Sequence, residues 1–263
     1  PGTYVMTVTD PSNGCVSTSS VAITQDIVIP NANAGLTQEL NCTITSLVIG
    51  GSSSTAGVNY SWAGPGIVSG GTSATPSVNA PGTYTLTVTN PVNGCMNTST
   101  VNITEDVVIP LNDFIPDNFI GCGSLLVNFQ ETNGQIGMDY NWNFGNGNTS
   151  SAGSSVSQSF NQVGCYDVSL TVLDPTNGCS ETITYPSLIC IIAQPIAEFS
   201  TYPSQLESID GFLTTTNGST NSTEYQWDFG DGSPGSSAVE PTHDYSDNIG
   251  NYTIQLVASN QGL

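Results

Sequence analysis

The sequence contains no lysine and no arginine, one histidine, and 21 aspartate and glutamate residues, for a formal net charge of −21 over 263 positions. Phosphate backbones and anionic lipid surfaces are held through basic side chains, so nucleic acid and acidic membrane are excluded as direct partners. Trypsin-type proteases find no site to cut, and isopeptide crosslinks, which consume a lysine, cannot form. Charged residues make up only 8% of the chain, against roughly a quarter in an ordinary soluble domain. Solubility must rest on hydroxyls and amides, helped by repulsion between acidic copies. Long apolar runs are missing too: none approaches the ~20 residues of a membrane-spanning helix, so no direct membrane insertion is expected. Beside the single histidine there is no second histidine, lysine or arginine to complete a nucleophile or oxyanion site, and no Gly-x-Ser-x-Gly elbow occurs among the serines. Paired carboxylates of the kind that hydrolyse glycosides would sit on turns that another copy builds with amides. The expectation is a non-enzyme with no catalytic residue and no cofactor.

What the sequence does contain is repetition. Pro1-Gly2-Thr3-Tyr4 returns as Pro81-Gly82-Thr83-Tyr84, and 20 of the 30 positions from Pro1 to Pro30 match Pro81 to Pro110. A fixed period marks one folding unit copied along a string. The chain opens in mid-repeat, without an initiating Met or signal peptide, which reads as a piece of a longer polypeptide.

Within the unit, Tyr84-Thr85-Leu86-Thr87-Val88-Thr89 alternates between an apolar and a threonine face, the pattern of a half-buried strand. Asn90-Pro91-Val92-Asn93-Gly94 supplies turn chemistry, and Val101 and Ile103 resume the period on a returning strand. The same hairpin is predicted at 4–24 and 166–192, and a fourth begins at Asn251. A second recurring element, Tyr60-Ser61-Trp62, Tyr140-Asn141-Trp142 and Tyr225-Gln226-Trp227, reads as an inner strand with its tryptophan turned to the core. No stretch shows 3.6-residue periodicity. Short strands with regularly spaced turns predict an all-β fold of antiparallel sandwiches in series. Boundaries fall at apolar-to-proline transitions, giving a C-terminal hairpin at 1–29, a complete repeat at 30–110, a third domain at 111–193 and a fourth at 194–263 that lacks its last strand. The proline-bearing linkers predict stiff joints and an elongated array.

The seven cysteines follow the repeat, not a metal spacing; a zinc site needs ligands clustered two to four residues apart. They are expected to form disulfides, which implies an oxidising compartment. Cys95 and Cys179 each follow an Asn-Gly turn, and each has a candidate partner near the start of its own domain, giving Cys42–Cys95 and Cys122–Cys179. Folding the third hairpin about its turn sets Cys165 opposite Cys190. Cys15 stands in the same post-turn position, with its partner expected upstream. Loops of this length are worth roughly 4 kcal/mol each in the chain-entropy account.

The run Glu224-Tyr225-Gln226-Trp227-Asp228-Phe229-Gly230-Asp231-Gly232-Ser233, followed by Pro241-Thr242-His243-Asp244-Tyr245, resembles the PKD domain, an immunoglobulin-like sandwich of extracellular proteins. The third domain departs from that pattern: Trp142-Asn143-Phe144-Gly145-Asn146-Gly147 carries amides for both aspartates, and no Pro-Thr-His segment follows. The second domain keeps only the Tyr-x-Trp strand, the Gly-Thr-Tyr strand and the Asn-Gly-Cys turn. It resembles cysteine-bearing repeats of very large surface adhesins of Bacteroidota, including gliding-motility adhesins secreted by the type IX system. The resemblance implies PKD-type sandwiches in tandem, a secreted cell-surface location, and a core motif of Trp62, Trp142, Trp227, Tyr84, Tyr166 and Tyr252.

Two further sets of residues each have two readings. Asp228 and Asp231, with Asp244 or Asp247, offer oxygen ligands to calcium; the alternative is turn capping, which Asn143 and Asn146 achieve without charge. The tryptophans would be sugar-stacking platforms if exposed, and core anchors if buried. The leading functional expectation is a stalk or filament segment of a giant adhesin that projects a distal tip and is stiffened by intradomain disulfides. Its partners would be neighbouring repeats of the same chain, with surface polysaccharide or other filament chains beyond them. The alternative is an accessory carbohydrate- or protein-binding module of a secreted degradative enzyme.

Overall fold

The computed structural model describes residues 1–206, 211–246 and 250–260. Every regular element among them is a β-strand. The chain divides into two compact units, the first Pro1–Ile109 with Asp174–Cys179, the second Pro110–Leu173 with Ser180–Leu263.

The first unit opens on β1 (Gly2–Thr9) and β2 (Val16–Ile23), an antiparallel hairpin with Gly2 opposite Ile23 and Thr9 opposite Val16. There follow β3 (Gln38–Asn41), β4 (Leu47–Val48), β5 (Asn59–Ala63), β6 (Ile67–Ser69), β7 (Ser77–Val78), β8 (Gly82–Thr89) and β9 (Met96–Asp106). These build a four-stranded sheet in the order β3-β9-β8-β5 and a three-stranded sheet in the order β4-β7-β6. The alternation in β8 decides which face turns inward: Tyr84, Leu86 and Val88 join Leu40, Ile49, Trp62, Val78, Val101 and Ile103 in one core. The threonines between them face outward, as the two-residue side-chain period of a strand requires.

The same strand sequence has a different fate in β1. Tyr4, Met6 and Val8 are 61%, 64% and 54% exposed, whereas Tyr84, Leu86 and Val88 are 0% exposed. The strands are alike; what differs is cover. The β8–β9 hairpin belongs to a four-stranded sheet with a core beneath it, and β1–β2 is a two-stranded sheet with every residue exposed.

The second unit contains β10 (Phe114–Pro116), β11 (Ile120–Cys122), β12 (Leu125–Glu131), β13 (Asp139–Asn143), β14 (Thr149–Ser150), β15 (Ser155–Phe160), β16 (Gly164–Leu173) and β17 (Ser180–Ile192). Sheets of order β10-β12-β15 and β11-β17-β16-β13-β14 enclose Phe114, Val127, Phe129, Trp142, Phe144, Phe160, Val168, Leu170 and Ile189. Then come β18 (Phe199–Tyr202), β19 (Phe212–Asn217), β20 (Glu224–Asp228), β21 (Thr242–Asp244) and β22 (Gln255–Ser259), paired as β18-β19-β21 and β20-β22. Their core is smaller, with Leu213, Trp227, Phe229 and Tyr245 buried. Asp247 and the stretch 261–263 lie outside the described residues.

The sandwiches are not wholly antiparallel. β3 runs parallel to β9, with Gln38 opposite Ile103 and Asn41 opposite Asp106. β11 runs parallel to β17, with Ile120 opposite Cys190 and Cys122 opposite Ile192. In these two sandwiches the entering strand of the sheet that carries the departing strand, β3 or β11, therefore lies beside that strand's end. β10 precedes β11 but pairs antiparallel with β12 in the other sheet, and the sandwich of β18 to β22 has antiparallel pairs only.

This pairing corrects two of the expected disulfides. Cys42 follows Asn41 and so sits beside the last residue of β9, whereas Cys95 precedes its first. The 11 residues of β9 rise ~3.3 Å each, placing the two on the order of 35 Å apart, beyond the ~7 Å Cα limit of a disulfide. Cys122 and Cys179 are separated in the same way by the 13 residues of β17. Cys42 is instead bonded to Cys179, with Cα atoms 5.1 Å apart, and Cys15, Cys95 and Cys122 are free thiols. Cys165 and Cys190 stand opposite each other in the β16–β17 register and are bonded.

Candidate functional site

The hairpin turn is built three times from the same parts. The N–H groups of Gly14, Gly94 and Gly178 donate to the carbonyls of Asp10, Asn90 and Asp174 at 2.8, 2.9 and 2.8 Å. The side-chain oxygens of Asn13, Asn93 and Asn177 accept from the N–H of Cys15, Cys95 and Cys179 at 2.9, 2.9 and 2.8 Å. Each glycine has a φ of 71° to 74°, the left-handed region that glycine enters without steric cost. In the third copy the Thr176 hydroxyl and backbone N–H hold the Asp174 carboxyl below its usual range.

The asparagine that shapes the turn also reaches outward. Asn93 donates its side-chain amide to the carbonyl of Val28 at 3.1 Å. Asn177, 2% exposed, donates to the carbonyl of Val108 at 3.0 Å and to the carboxylate of Asp106 at 3.1 Å. Val28 and Val108 occupy the same place in Ile27-Val28-Ile29-Pro30 and Val107-Val108-Ile109-Pro110. Around the third turn the first unit closes further: the Cys42 N–H donates to the Asn177 carbonyl at 3.1 Å, and a Cβ on Gly178 would collide with the Thr43 side chain. The sequence showed the asparagines as turn formers. Their second role has no local signature beyond recurrence of the Asn-Gly-Cys triplet.

Trp62, Trp142 and Trp227 are 6%, 0% and 1% exposed. Each indole N–H donates to a backbone carbonyl 11 residues on, at Ser73, Gly153 and Ala238, over 3.0, 2.9 and 2.9 Å. The indole face thus meets core atoms, not solvent. Tyr84 and Tyr166 each donate their hydroxyl to a carbonyl four residues upstream, Ala80 and Gln162, at 2.7 Å. Tyr252 stacks on Tyr245, with ring centroids 5.1 Å apart.

The acidic turn is closed by its own protein donors. Asp228 accepts from the Gly230 N–H at 2.9 Å, as Asn143 accepts from the Gly145 N–H at 3.0 Å. One oxygen of Asp231 takes the Ser233 hydroxyl and N–H, and the other lies 2.8 Å from Nε2 of His243. Asp231 is 2% exposed by side chain; the Ser233 hydroxyl first, then the imidazole, holds its carboxyl far below the usual range. His243 stacks on Phe229 at 4.1 Å and meets Tyr245 edge-on at 4.5 Å. Asp244 accepts from the Ser246 N–H at 2.9 Å. Among the described residues no group of three or more metal-holding side chains occurs; Asp228, Asp231 and Asp244 each cap their own turn, and Asp247, the fourth candidate calcium ligand, lies outside the described residues. An open groove of about 670 Å³ over β10, β12 and β15 is lined by Asp117, Asn128, Gln130, Ser155 and Ser157 with apolar neighbours; its one carboxylate is engaged by Asn128.

A model of the PKD domain matches residues 115–187 and again 192–262. None of the curated proteins matches the chain. Among solved structures, the I-band fragment I67–I69 from titin is similar at 12% identity, covering 90% of this chain and 95% of that one with a TM-score of 0.44. The N-terminal eight Ig domains of Down Syndrome Cell Adhesion Molecule are similar at 12% identity, with 90% of this chain and 33% of that one covered and a TM-score of 0.39. Extracellular domains 3–5 of Drosophila OTK are similar at 11% identity, covering 90% and 88% of the two chains with a TM-score of 0.32. The two family matches span more than half of the sequence and fall on the two sandwiches of the second unit, each with its buried Tyr-x-Trp strand, and the chain belongs to the PKD-domain family.

Proposed function

We propose that this chain is a segment of the stalk of a large secreted cell-surface adhesin, a spacer whose work is mechanical. The observation that carries this reading is the recurrence of one contact at the repeat period: a hairpin-tip asparagine donating to the carbonyl of a linker valine, Asn93 to Val28 and Asn177 to Val108. A chain that repeats both its fold and the contact made by its hairpin tips has the organisation of an array, not of a single binding pocket. The chemistry agrees with an extracellular place, since disulfides persist in oxidising compartments and two are present. The family and the repeat pattern further suggest an adhesin of the Bacteroidota type, exported by the type IX system and serving gliding motility. The alternative of a glycan-binding module needs an exposed aromatic row; the three tryptophans are buried and cannot supply it, and the exposed aromatics are Tyr4, Phe119, Tyr202 and Phe212.

Small-angle scattering of the chain tests the proposal. A rod-like distance distribution, unchanged by calcium, is the expected result; a compact profile, or one that lengthens on adding calcium, would refute a passive spacer.

A further inference from the structure

The Cys42–Cys179 bond joins two positions that each have a counterpart elsewhere in this chain. Cys42 lies at the end of β3, the strand that enters its sandwich; 80 residues on, Cys122 ends β11, the entering strand of the next. Both stand beside the end of the departing strand, Cys42 next to the Asn41–Asp106 pair and Cys122 in the Cys122–Ile192 pair. Cys179 follows the Asn-Gly turn of the third hairpin, and Cys95 follows that of the second. The turn carrying Cys179 is docked by Asn177 on Val108, and the turn carrying Cys95 is docked by Asn93 on Val28. One bond of the series is thus closed, and one member of the bond before it and one of the bond after it are present as free thiols.

We propose that Cys95 and Cys122, and with them Cys15 behind the first Asn-Gly turn, are unclosed members of a disulfide ladder along the array. In each rung, the cysteine ending one repeat's entering strand bonds the cysteine behind the Asn-Gly turn of the following repeat's hairpin. Cys122 takes the tip cysteine of a repeat that follows it in the polypeptide, and Cys95 bonds the entering-strand cysteine of a repeat that precedes it. The Cys122 thiol already lies 4.0 Å from the carbonyl of Ala193, the linker residue that corresponds to Val108 in Ile192-Ala193-Gln194-Pro195. That linker is where the next tip would dock. Each rung forms by thiol–disulfide exchange: two cysteine thiols give up two protons and two electrons to one S–S bond. The electrons reduce a disulfide supplied by a co-reactant of the oxidised-glutathione or dithiol-oxidase class, which leaves as two thiols. The inference rests on reading the chain as an array, and it replaces bonds closed within one sandwich by bonds that tie each repeat to its successor.

The test is a disulfide map of the native secreted polypeptide after blocking free thiols. Chymotrypsin is the protease of choice, since trypsin has no site and cuts at Tyr60, Trp62, Tyr84 and Leu86 separate Cys42 from Cys95. The expected result is Cys122 joined to a peptide with an Asn-Gly-Cys turn from a later repeat, and Cys95 joined to one from an earlier repeat. The 263-residue chain, mapped alone, should give a Cys42–Cys179 peptide and three alkylated cysteines. A Cys42–Cys95 or Cys122–Cys179 peptide, or Cys122 alkylated in the native polypeptide, overturns the ladder. The two proposals fail separately: a rod with alkylated Cys122 removes the ladder and keeps the spacer, and a compact particle with rungs intact does the reverse.

Discussion

Asn177 and Val108 are joined by a side-chain amide donating to a backbone carbonyl at 3.0 Å, with the amide buried and a second bond from the same nitrogen to Asp106. Replacing Asn177 by alanine leaves that carbonyl and carboxylate without their donor, at a cost of about 1–3 kcal/mol. Asn177→Asp should cost more, because it sets a second carboxylate against Asp106. Asn93→Ala, on a partly exposed turn with one outward bond, should cost less than either. Urea unfolding of the full chain, followed for each variant, measures the order.

Gly145 and Gly230 take φ angles of 71° and 77°, and a Cβ on either would strike a backbone carbonyl, that of Asp167 or Thr253. Backbone on both sides leaves no flexible atom to yield. Alanine at either position combines left-handed strain with that collision, for an expected loss of at least about 2 kcal/mol. Glycine-to-alanine at Gly134, whose Cβ would meet nothing within 4 Å, pays the strain alone and should cost less. Thermal unfolding of the three variants side by side decides it.

Asp231 has a folded-state pKa far below its unfolded value, through Ser233 and then His243. Its contribution to stability is therefore present above the unfolded value of about 4 and is lost as pH falls through the folded one. The transition that includes Trp227 should weaken progressively below about pH 4. Asp231→Asn should lower stability at neutral pH and flatten this acid limb. A variant with an unchanged acid limb would show that Asp231 does not set it. Asp228 makes one bond to the Gly230 N–H, which an asparagine can keep as Asn143 does, so Asp228→Asn should be nearly neutral.

The buried tryptophans give an optical prediction. Native fluorescence should be blue-shifted and resistant to iodide, and soluble glycans should leave it unchanged. Trp142→Ala, at the centre of the Phe114, Phe129 and Phe144 cluster, should cost about 3–5 kcal/mol.

Strand identity and facing were readable because they rest on local pattern. The alternation of Tyr84, Leu86 and Val88 predicts the inner face of β8, and all three are fully buried. The Asn-Gly turns predict the hairpins found between β1 and β2, β8 and β9, and β16 and β17. The amides at Asn143 and Asn146 already indicated a turn that needs no charge, and the hydrogen bonds show how it is made. What stayed hidden was the partner of the entering strand. β3 is only Gln-Glu-Leu-Asn, too short for a period, and its parallel mate is β9, more than 60 residues away. Without that pairing, Cys42 and Cys95 look like neighbours at the two ends of a domain. With it, they lie at opposite ends of a strand, and the bond from Cys42 to Cys179 becomes the one within reach. The exposure of Tyr4, Met6 and Val8 was equally beyond local pattern, since β1 and β8 are nearly the same sequence and only their cover differs.

The parallel pairing of entering and departing strands also fixes how a sandwich meets tension. β3 and the departing β9 run side by side in the same direction, and so do β11, which follows β10, and the departing β17. A pull on the two ends slides such neighbours past each other, so the ladder hydrogen bonds are loaded together in shear. A hairpin pulled open at its end would give them up one at a time, like a zipper. In this geometry the short, unpromising β3 and β11 are the strands that a pull loads in shear in their two sandwiches, whereas the pairs β18–β19, β19–β21 and β20–β22 of the last one are all antiparallel.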